Sequence, residues 1–303
     1  YSLSNKKEGK VMVYDIGGGT FDITVLEVSG QDLNIISNEG AKLGGSDFDW
    51  KLYELINRKH FDEMGTNLLE EHDSIIEKNE KIVPSSMQRN IEKVKHGLSK
   101  KEEVRDWVGE FRYIVFRHEF EEVIREYVAK TEILVDATLE QASITYDDID
   151  EVLLVGGSTR IPCFRNSITN FFKKEPTNVL NVDEVVSLGA SINTALKEES
   201  LLTNQQREIL MDISFTDVSS SFLGTLYILS VEQMKIMSGN PNFDGQPVVA
   251  NSVIIDKNIP IPCKKSKMFE LTKDNIENGS IKVWLTQSNI DTANPKEVKV
   301  IKT

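Results

Sequence analysis

Asp15-Ile-Gly-Gly-Gly-Thr20-Phe-Asp22 sets three successive glycines and a threonine between two aspartates, with apolar runs on either side. Glycines let backbone N–H groups approach an anion with no side chain in the way, and Thr20 adds a hydroxyl. A carboxylate such as Asp15 beside phosphate oxygens is useful when a hydrated Mg2+ ion lies between them. The turn leads into a strand rather than a helix, so it is not a dinucleotide-binding loop. No GxxxxGK-Ser/Thr loop occurs anywhere in the chain. A tight hairpin turn that merely needs glycine would have the same pattern, so the residues alone leave both readings open.

Two further groups could serve a ligand. On a helix over 86–99, Glu92, Lys95 and Ser99 are spaced to share one strip. Such a strip can offer a carboxylate and an ammonium to sugar hydroxyls and a serine to a base edge. It equally fits an ordinary surface ion pair between Glu92 and Lys95. Val155-Gly156-Gly157-Ser158-Thr159-Arg160-Ile161-Pro162 reads as a strand, a glycine turn and a helix start. Free N–H groups there attract polar or anionic ligands, and Arg160 could stack on a flat base. A plain strand-to-helix connection capped by Ser158 or Thr159 is the alternative.

The elements that would carry these groups follow from hydrophobic spacing. Residues 11–28 read as a hairpin around the first glycine turn. Residues 45–64 read as a helix with Phe48, Leu52, Leu55 and Ile56 on its inner face, and 69–84 as a charged, irregular stretch. Pro84 and Ser85 open the next helix, whose apolar stripe is Met87, Ile91, Val94 and Leu98. A helical stretch covers 118–142, a buried strand Val152–Val155, and a helix begins near Pro162. Asn181 with Glu184 suggests a capping box for a last helix over 183–196. After about Ser200 the pattern changes to short strands, with turns at Gly239–Pro241 and Asp244–Gly245. Ile281, Val283 and Leu285 alternate with Lys282, Trp284 and Thr286 as in a half-buried strand. An α/β segment is thus expected to precede an all-β one, and no internal repeat is visible.

The chain has 303 residues, enough for two domains, and 39% of them are hydrophobic, enough for real cores. With 48 acidic and 35 basic residues its net charge is −13, which repels nucleic acid and anionic lipid as main partners. Cys163 and Cys263 stand far apart with no second pair for a metal site or a disulfide framework, which fits a reducing compartment. No apolar run approaches the ~20 residues of a membrane helix.

Taken together, the motifs resemble the seventy-kilodalton heat-shock protein family, the DnaK-type chaperones. Asp15–Asp22 looks like the family's second phosphate loop, and Leu43-Gly-Gly-Ser-Asp-Phe-Asp49 resembles LGGEDFD with Ser46 in place of glutamate. Glu92, Lys95 and Ser99 fall on the adenosine-binding helix, with His96 where some members have arginine. Arg117-His-Glu-Phe-Glu-Glu122 is similar to a TRxxFEE segment, and Gly156–Pro162 to the adenine-site loop. Asn181-Val-Asp-Glu184 with Leu188-Gly-Ala190 resembles NPDEAVAYGAA, Val182 replacing proline. Further on, Glu208-Ile-Leu-Met-Asp212 resembles the interdomain linker, and Asn258–Phe269 resembles NTTIPTKxSQxF of the peptide-binding domain, while 238–248 looks like an insertion.

The resemblance implies part of an α/β actin-like ATPase lobe over residues 1–200, a linker over 201–213, and part of an all-β, sandwich-like peptide-binding domain over 214–303. It implies ATP or ADP with Mg2+ as ligands. Asp15 would hold hydrated Mg2+, and Gly17, Gly18, Gly19 and Thr20 the phosphates. Glu92, Lys95, Ser99, Gly156, Gly157, Ser158, Arg160 and Asp183 would hold the adenosine. Unfolded peptides, a J-domain co-chaperone and a nucleotide-exchange factor are the implied partners, and the cytoplasm is the expected location. Tyr1-Ser-Leu3 with Asn5-Lys-Lys7 resembles the stretch just before the second phosphate loop. The family's first phosphate loop, its phosphate-contacting lysine and its catalytic glutamate would then lie upstream. On that expectation these residues alone hold no catalytic group and do not hydrolyse ATP usefully, and apolar strand surface over 11–40 is left uncovered. The leading expectation is therefore an ATP-dependent chaperone that binds and releases unfolded peptide. A non-hydrolysing regulator, or a degenerate copy, is the alternative. A sugar kinase of the same superfamily would need neither the linker nor the β-rich tail.

Overall fold

The computed structural model describes residues 8–69, 81–178, 184–198, 202–206, 213–229, 249–269 and 283–302. The chain divides into two compact units, Tyr1–Ser214 and Phe215–Thr303.

The first unit is built on a mixed sheet. Strand β1 (Glu8–Ile16) turns at the triple glycine into β2 (Phe21–Ser29), which turns again into β3 (Asp32–Ala41). All three are antiparallel, while β6 (Glu151–Val155) runs parallel to β1 on its other side and β7 (Thr177–Asn178) parallel to β6. The order is therefore β3-β2-β1-β6-β7. The β1–β6 register pairs Asp15 with Val155, so the two glycine turns leave the same end of adjacent strands. β1 has apolar residues at both phases because both of its faces are covered. Met12, Tyr14 and Ile16 join a large core with Phe21, Ile23 and Val25 of β2, while Val11, Val28, Leu153 and Val155 form a smaller cluster. The expected uncovered apolar surface on β1 and β2 is not observed, since Val11 is 0% and Val28 2% exposed. Among the exposed apolar side chains of the unit are Phe61 of the next helix, Trp107, Ile133, and Val186, Leu188 and Ile192 near its end.

Helix α1 (Gly45–Met64) buries Phe48, Leu52, Leu55 and Ile56 as its spacing predicts, and ends at Gly65 in the left-handed region. The whole predicted stripe of α2 (Gln88–Leu98) lies in the core, Met87 just before its first turn included. The hairpin β4 (Glu103–Val108) and β5 (Phe111–Phe116) follows. The single helical stretch expected over 118–142 is two helices, α3 (Arg117–Val123) and α4 (Arg125–Gln141), with the fully buried Ile124 at the break. Helix α5 (Pro162–Phe172) starts on proline, and α6 (Val185–Lys197) follows. Glu184 is the residue before the first turn of α6 and makes no side-chain cap, so the helix starts later than the expected capping box. Asn181, Val182 and Asp183 lie outside the described residues. So do most of 69–84, the linker motif Glu208–Asp212, the insertion 238–248 and the opening Tyr1–Lys7.

Every described element of the second unit is a strand. β8 (Ser214–Val218) pairs with β11 (Pro260–Ile261). β10 (Val249–Ile255), β9 (Phe222–Ile228), β12 (Leu285–Ser288) and β13 (Lys299–Lys302) form an antiparallel sheet in that order. The alternation expected over 281–286 is inverted where it is described. Val283 and Leu285 are exposed at 52% and 43%, whereas Thr286 and Ser288 are buried at 1% and 6%. The inward phase is polar because its groups have partners. Thr286 Oγ1 donates to Asn251 Oδ1 at 2.6 Å, and Asn251 Nδ2 donates to the Thr292 carbonyl at 2.8 Å. Ile281 and Lys282 lie outside the described residues.

Candidate functional site

Three short segments of the first unit meet at the end of β1. Gly17 N–H donates to the Thr20 carbonyl at 2.9 Å and closes the first turn. The turn's other carbonyls point into the neighbouring segment. Gly45 N–H donates to the Gly17 carbonyl at 3.0 Å, and Ser46 N–H and Oγ donate to the Gly18 carbonyl at 2.7 and 2.9 Å. The otherwise unpaired N–H groups at the start of α1 are thus consumed by the loop. Gly44 lies flat on the turn, since a Cβ there would stand 2.6 Å from Gly19 N and 2.8 Å from the Gly17 carbonyl.

The second glycine turn locks onto the same place. Ser158 Oγ donates to the Gly17 carbonyl at 3.1 Å, so that oxygen accepts from two segments at once. Gly156 has φ +80°, and a Cβ on it would stand 2.3 Å from the Ile16 carbonyl and 2.4 Å from Asp15 Oδ1. Only glycine allows that approach. The turn passes through a 3-10 segment, Gly157–Arg160, before α5 begins. Ser158 and Thr159 are buried and Thr159 Oγ1 donates to the Gly156 carbonyl at 2.7 Å, whereas Gly157 and Arg160 are exposed. Phe48 holds the segments in register, its ring centroid 5.2 Å from that of Phe164 and 5.6 Å from that of Tyr127.

Gly18, Gly19 and Thr20 are exposed at the rim. Neither Gly18 nor Gly19 has a positive φ, and nothing stands within 4 Å of where their Cβ atoms would be. Their N–H groups donate to no acceptor among the described residues. Asp15 is half-buried, and burial raises its carboxyl above the ordinary range, with the Asp22 charge across the strand pair adding to the effect. A nearby cation would relieve both. No group of three or more His, Cys, Asp or Glu side chains suited to a metal occurs among the described residues. One carboxylate of this kind fits an ion that keeps its waters, as Mg2+ does, rather than one caged by protein.

Lys95 departs from the surface pair with Glu92 that its spacing allowed. It is 8% exposed, and its ammonium donates to Asp49 Oδ2 at 2.8 Å and to the Gly45 carbonyl at 3.3 Å. Glu92 and His96 are exposed, and Ser99 follows the last residue of α2 with its hydroxyl donating back to the Lys95 carbonyl at 3.1 Å. Gly45 is the meeting point: a Cβ there would stand 3.1 Å from Ser158 Oγ, 3.2 Å from Lys95 Nζ and 3.5 Å from Gly18 Cα. The structure thus brings together Asp15, Gly17, Gly18, Lys95, Gly156 and Ser158. Glu92, Ser99 and Arg160 are not joined to them by any of these contacts, and Asp183 lies outside the described residues. Asp49 is the residue that sequence reasoning left without a role. Its only signal was a carboxylate two positions past Asp47 in a segment already singled out.

The family model described as Hsp70 protein matches residues 1–299. The chain is 32% identical over 276 residues to Chaperone protein HscA of Buchnera aphidicola subsp. Schizaphis graminum, covering 91% of this chain and 39% of that protein. It is 30% identical over 296 residues to Chaperone protein DnaK of Thermosipho melanesiensis, covering 94% of this chain and 44% of that one. With Chaperone protein dnaK of Cyanidium caldarium the identity is 28% over 285 residues, covering 93% and 42%. The chain therefore spans about two fifths of the length of these relatives.

Proposed function

The chain belongs to the Hsp70 protein family, and from that premise we propose that its first unit forms one wall of an ATP/ADP site in an ATP-dependent molecular chaperone. The exposed turn Gly17–Thr20 receives the phosphates, and the junction of Gly45, Lys95 and Ser158 receives the nucleoside end. Asp15 would hold hydrated Mg2+, and the ion, when bound, would supply positive charge against the phosphates. Glu92, Ser99, Gly156, Gly157, Arg160 and Asp183 complete the adenosine side by resemblance to the family. Residues 1–200 act as the nucleotide-binding segment, 201–213 as the link, and 214–303 as part of a sandwich-like domain for unfolded peptide. A J-domain co-chaperone and an exchange factor are the proposed partners, and the cytoplasm the proposed location. Among the described residues no helix is long and apolar enough to cross a membrane.

One observation carries this reading. Gly18 and Gly19 stand where the fold itself asks for no glycine, with open space at both Cβ positions. Their bare N–H groups have an evident use only if something anionic approaches. Gly18→Val and Gly19→Val in the 303-residue chain are therefore expected to melt within about 2 °C of the parent, each costing well under 1 kcal/mol. They are expected to bind ADP with Mg2+ at least tenfold more weakly by equilibrium dialysis. Unchanged affinity in both variants would remove the phosphate assignment.

A further inference from the structure

We propose that Asp49 is a positioning residue: its carboxylate holds the Lys95 ammonium against the Gly45 carbonyl so that one remaining ammonium N–H is presented to a hydroxyl of the bound nucleoside. The inference rests on the nucleotide reading of the site. An ammonium has three donors. Two are occupied, by Asp49 Oδ2 at 2.8 Å and the Gly45 carbonyl at 3.3 Å, and one is left, at a junction where a Gly45 Cβ would stand 3.2 Å from the ammonium and 3.1 Å from Ser158 Oγ. A lysine side chain has several rotatable bonds, so without Asp49 its head would sample many positions and present no fixed donor.

The simpler reading is an acidic residue near the start of α1 that complements the helix dipole. Two facts weigh against it. An exposed carboxylate would serve that purpose, yet Asp49 is largely covered, and its Oδ1 is buried with no hydrogen-bond partner. Its proton affinity is raised, because burial outweighs the Lys95 charge, with Glu92 adding to the rise and His96 opposing it. The one partner Asp49 gains for that burial is the Lys95 ammonium, so what the carboxylate does is fix where that ammonium stands.

The test uses the full chain as parent, Asp49→Asn, Lys95→Met and the double variant. The first measurement is the 15N ammonium resonance of Lys95 in the absence of nucleotide. An ordered signal in the parent that is lost in Asp49→Asn supports the proposal, and one that persists overturns it, whether or not nucleotide binds. The second is ADP affinity. Asp49→Asn is expected to weaken binding about tenfold in the parent and by less than twofold on top of Lys95→Met, as coupled residues do. Equal losses in both backgrounds overturn the positioning role. A parent that binds no ADP would instead sink the nucleotide reading, leaving the ammonium signal to decide on Asp49. Should Asp49→Asn not fold, titration of the Asp49 carboxyl carbon in Lys95→Met decides: an upward shift supports the pairing, and an unchanged value overturns it.

Discussion

Glycine does two different jobs within a few ångströms of the end of β1. At Gly156 and Gly44 it is demanded by the protein, because a Cβ would run into the backbone at 2.3 and 2.6 Å. At Gly18 and Gly19 the space is open, and no described residue stands within 4 Å of where a Cβ would be. The charged residues divide in the same way. Lys95 and Asp49 are paired at the candidate site, whereas Lys59 and Glu119 are paired at 2.7 Å further along α1. Burial pushes the Glu119 carboxyl up, but the Lys59 ammonium and the Phe116 N–H outweigh it and hold it below the ordinary range. The unfolded chain then binds the proton more readily than the folded one. The stabilisation is present above the usual glutamate range and is lost as pH falls through the folded value. Glu119→Gln is accordingly expected to cost about 0.5–1 kcal/mol at neutral pH, a cost that vanishes once pH has fallen through the folded value, measured by urea unfolding from neutral to acid pH.

At the scale of elements, the site exists because β1 and β6 run parallel in one register and both end in glycine turns. Ligands in open α/β sheets gather beyond such strand ends. Helix α1 then brings its first turn across both loops, and Phe48 anchors it to α4 and α5. The second unit shows a different economy. Its four-stranded sheet turns Asn251, Thr286 and Ser288 to one buried face, where a core would ordinarily be apolar. Such a face holds only while its groups satisfy one another. Thr286→Val keeps the shape and leaves Asn251 Oδ1 without its donor. It is expected to destabilise the second unit by about 1–3 kcal/mol, read from the local denaturant midpoint.

For the molecule as a whole, the two units differ in how much apolar surface they bury. The first has a continuous core from Met12 to Phe172, while in the second the described buried apolar cluster is Leu229 and Ala250 with Tyr227 beside them. Local opening costs least where few apolar contacts must be broken. Native-state hydrogen exchange is therefore expected to release the β9 and β10 amides at least tenfold sooner than those of β1, β2 and β6. Equal protection in both would contradict the difference in core size.

Spacing alone determined much of the first unit. The hairpin 11–28, the α1 face and the Met87–Leu98 stripe appear as expected, because a period of about two or 3.6 residues survives any tertiary arrangement that buries one face. Strand β3 and the hairpin of β4 and β5 have weaker apolar periodicity, and their signal in the sequence is the two-residue turns Gly30-Gln31 and Gly109-Glu110. The inverted phase of β12 could not be seen in one strand. Whether Thr286 or Leu285 faces inward depends on Asn251, 35 positions away and on another strand. The site divides along the same line. Glycine turns and a lysine on a helix are legible as types able to hold a phosphate or a sugar. Tertiary structure alone decided that Lys95 turns away from Glu92 toward Asp49, 46 positions distant. An ion pair forms with whichever charge burial brings within reach, and chain spacing encodes that only along a single helix or strand.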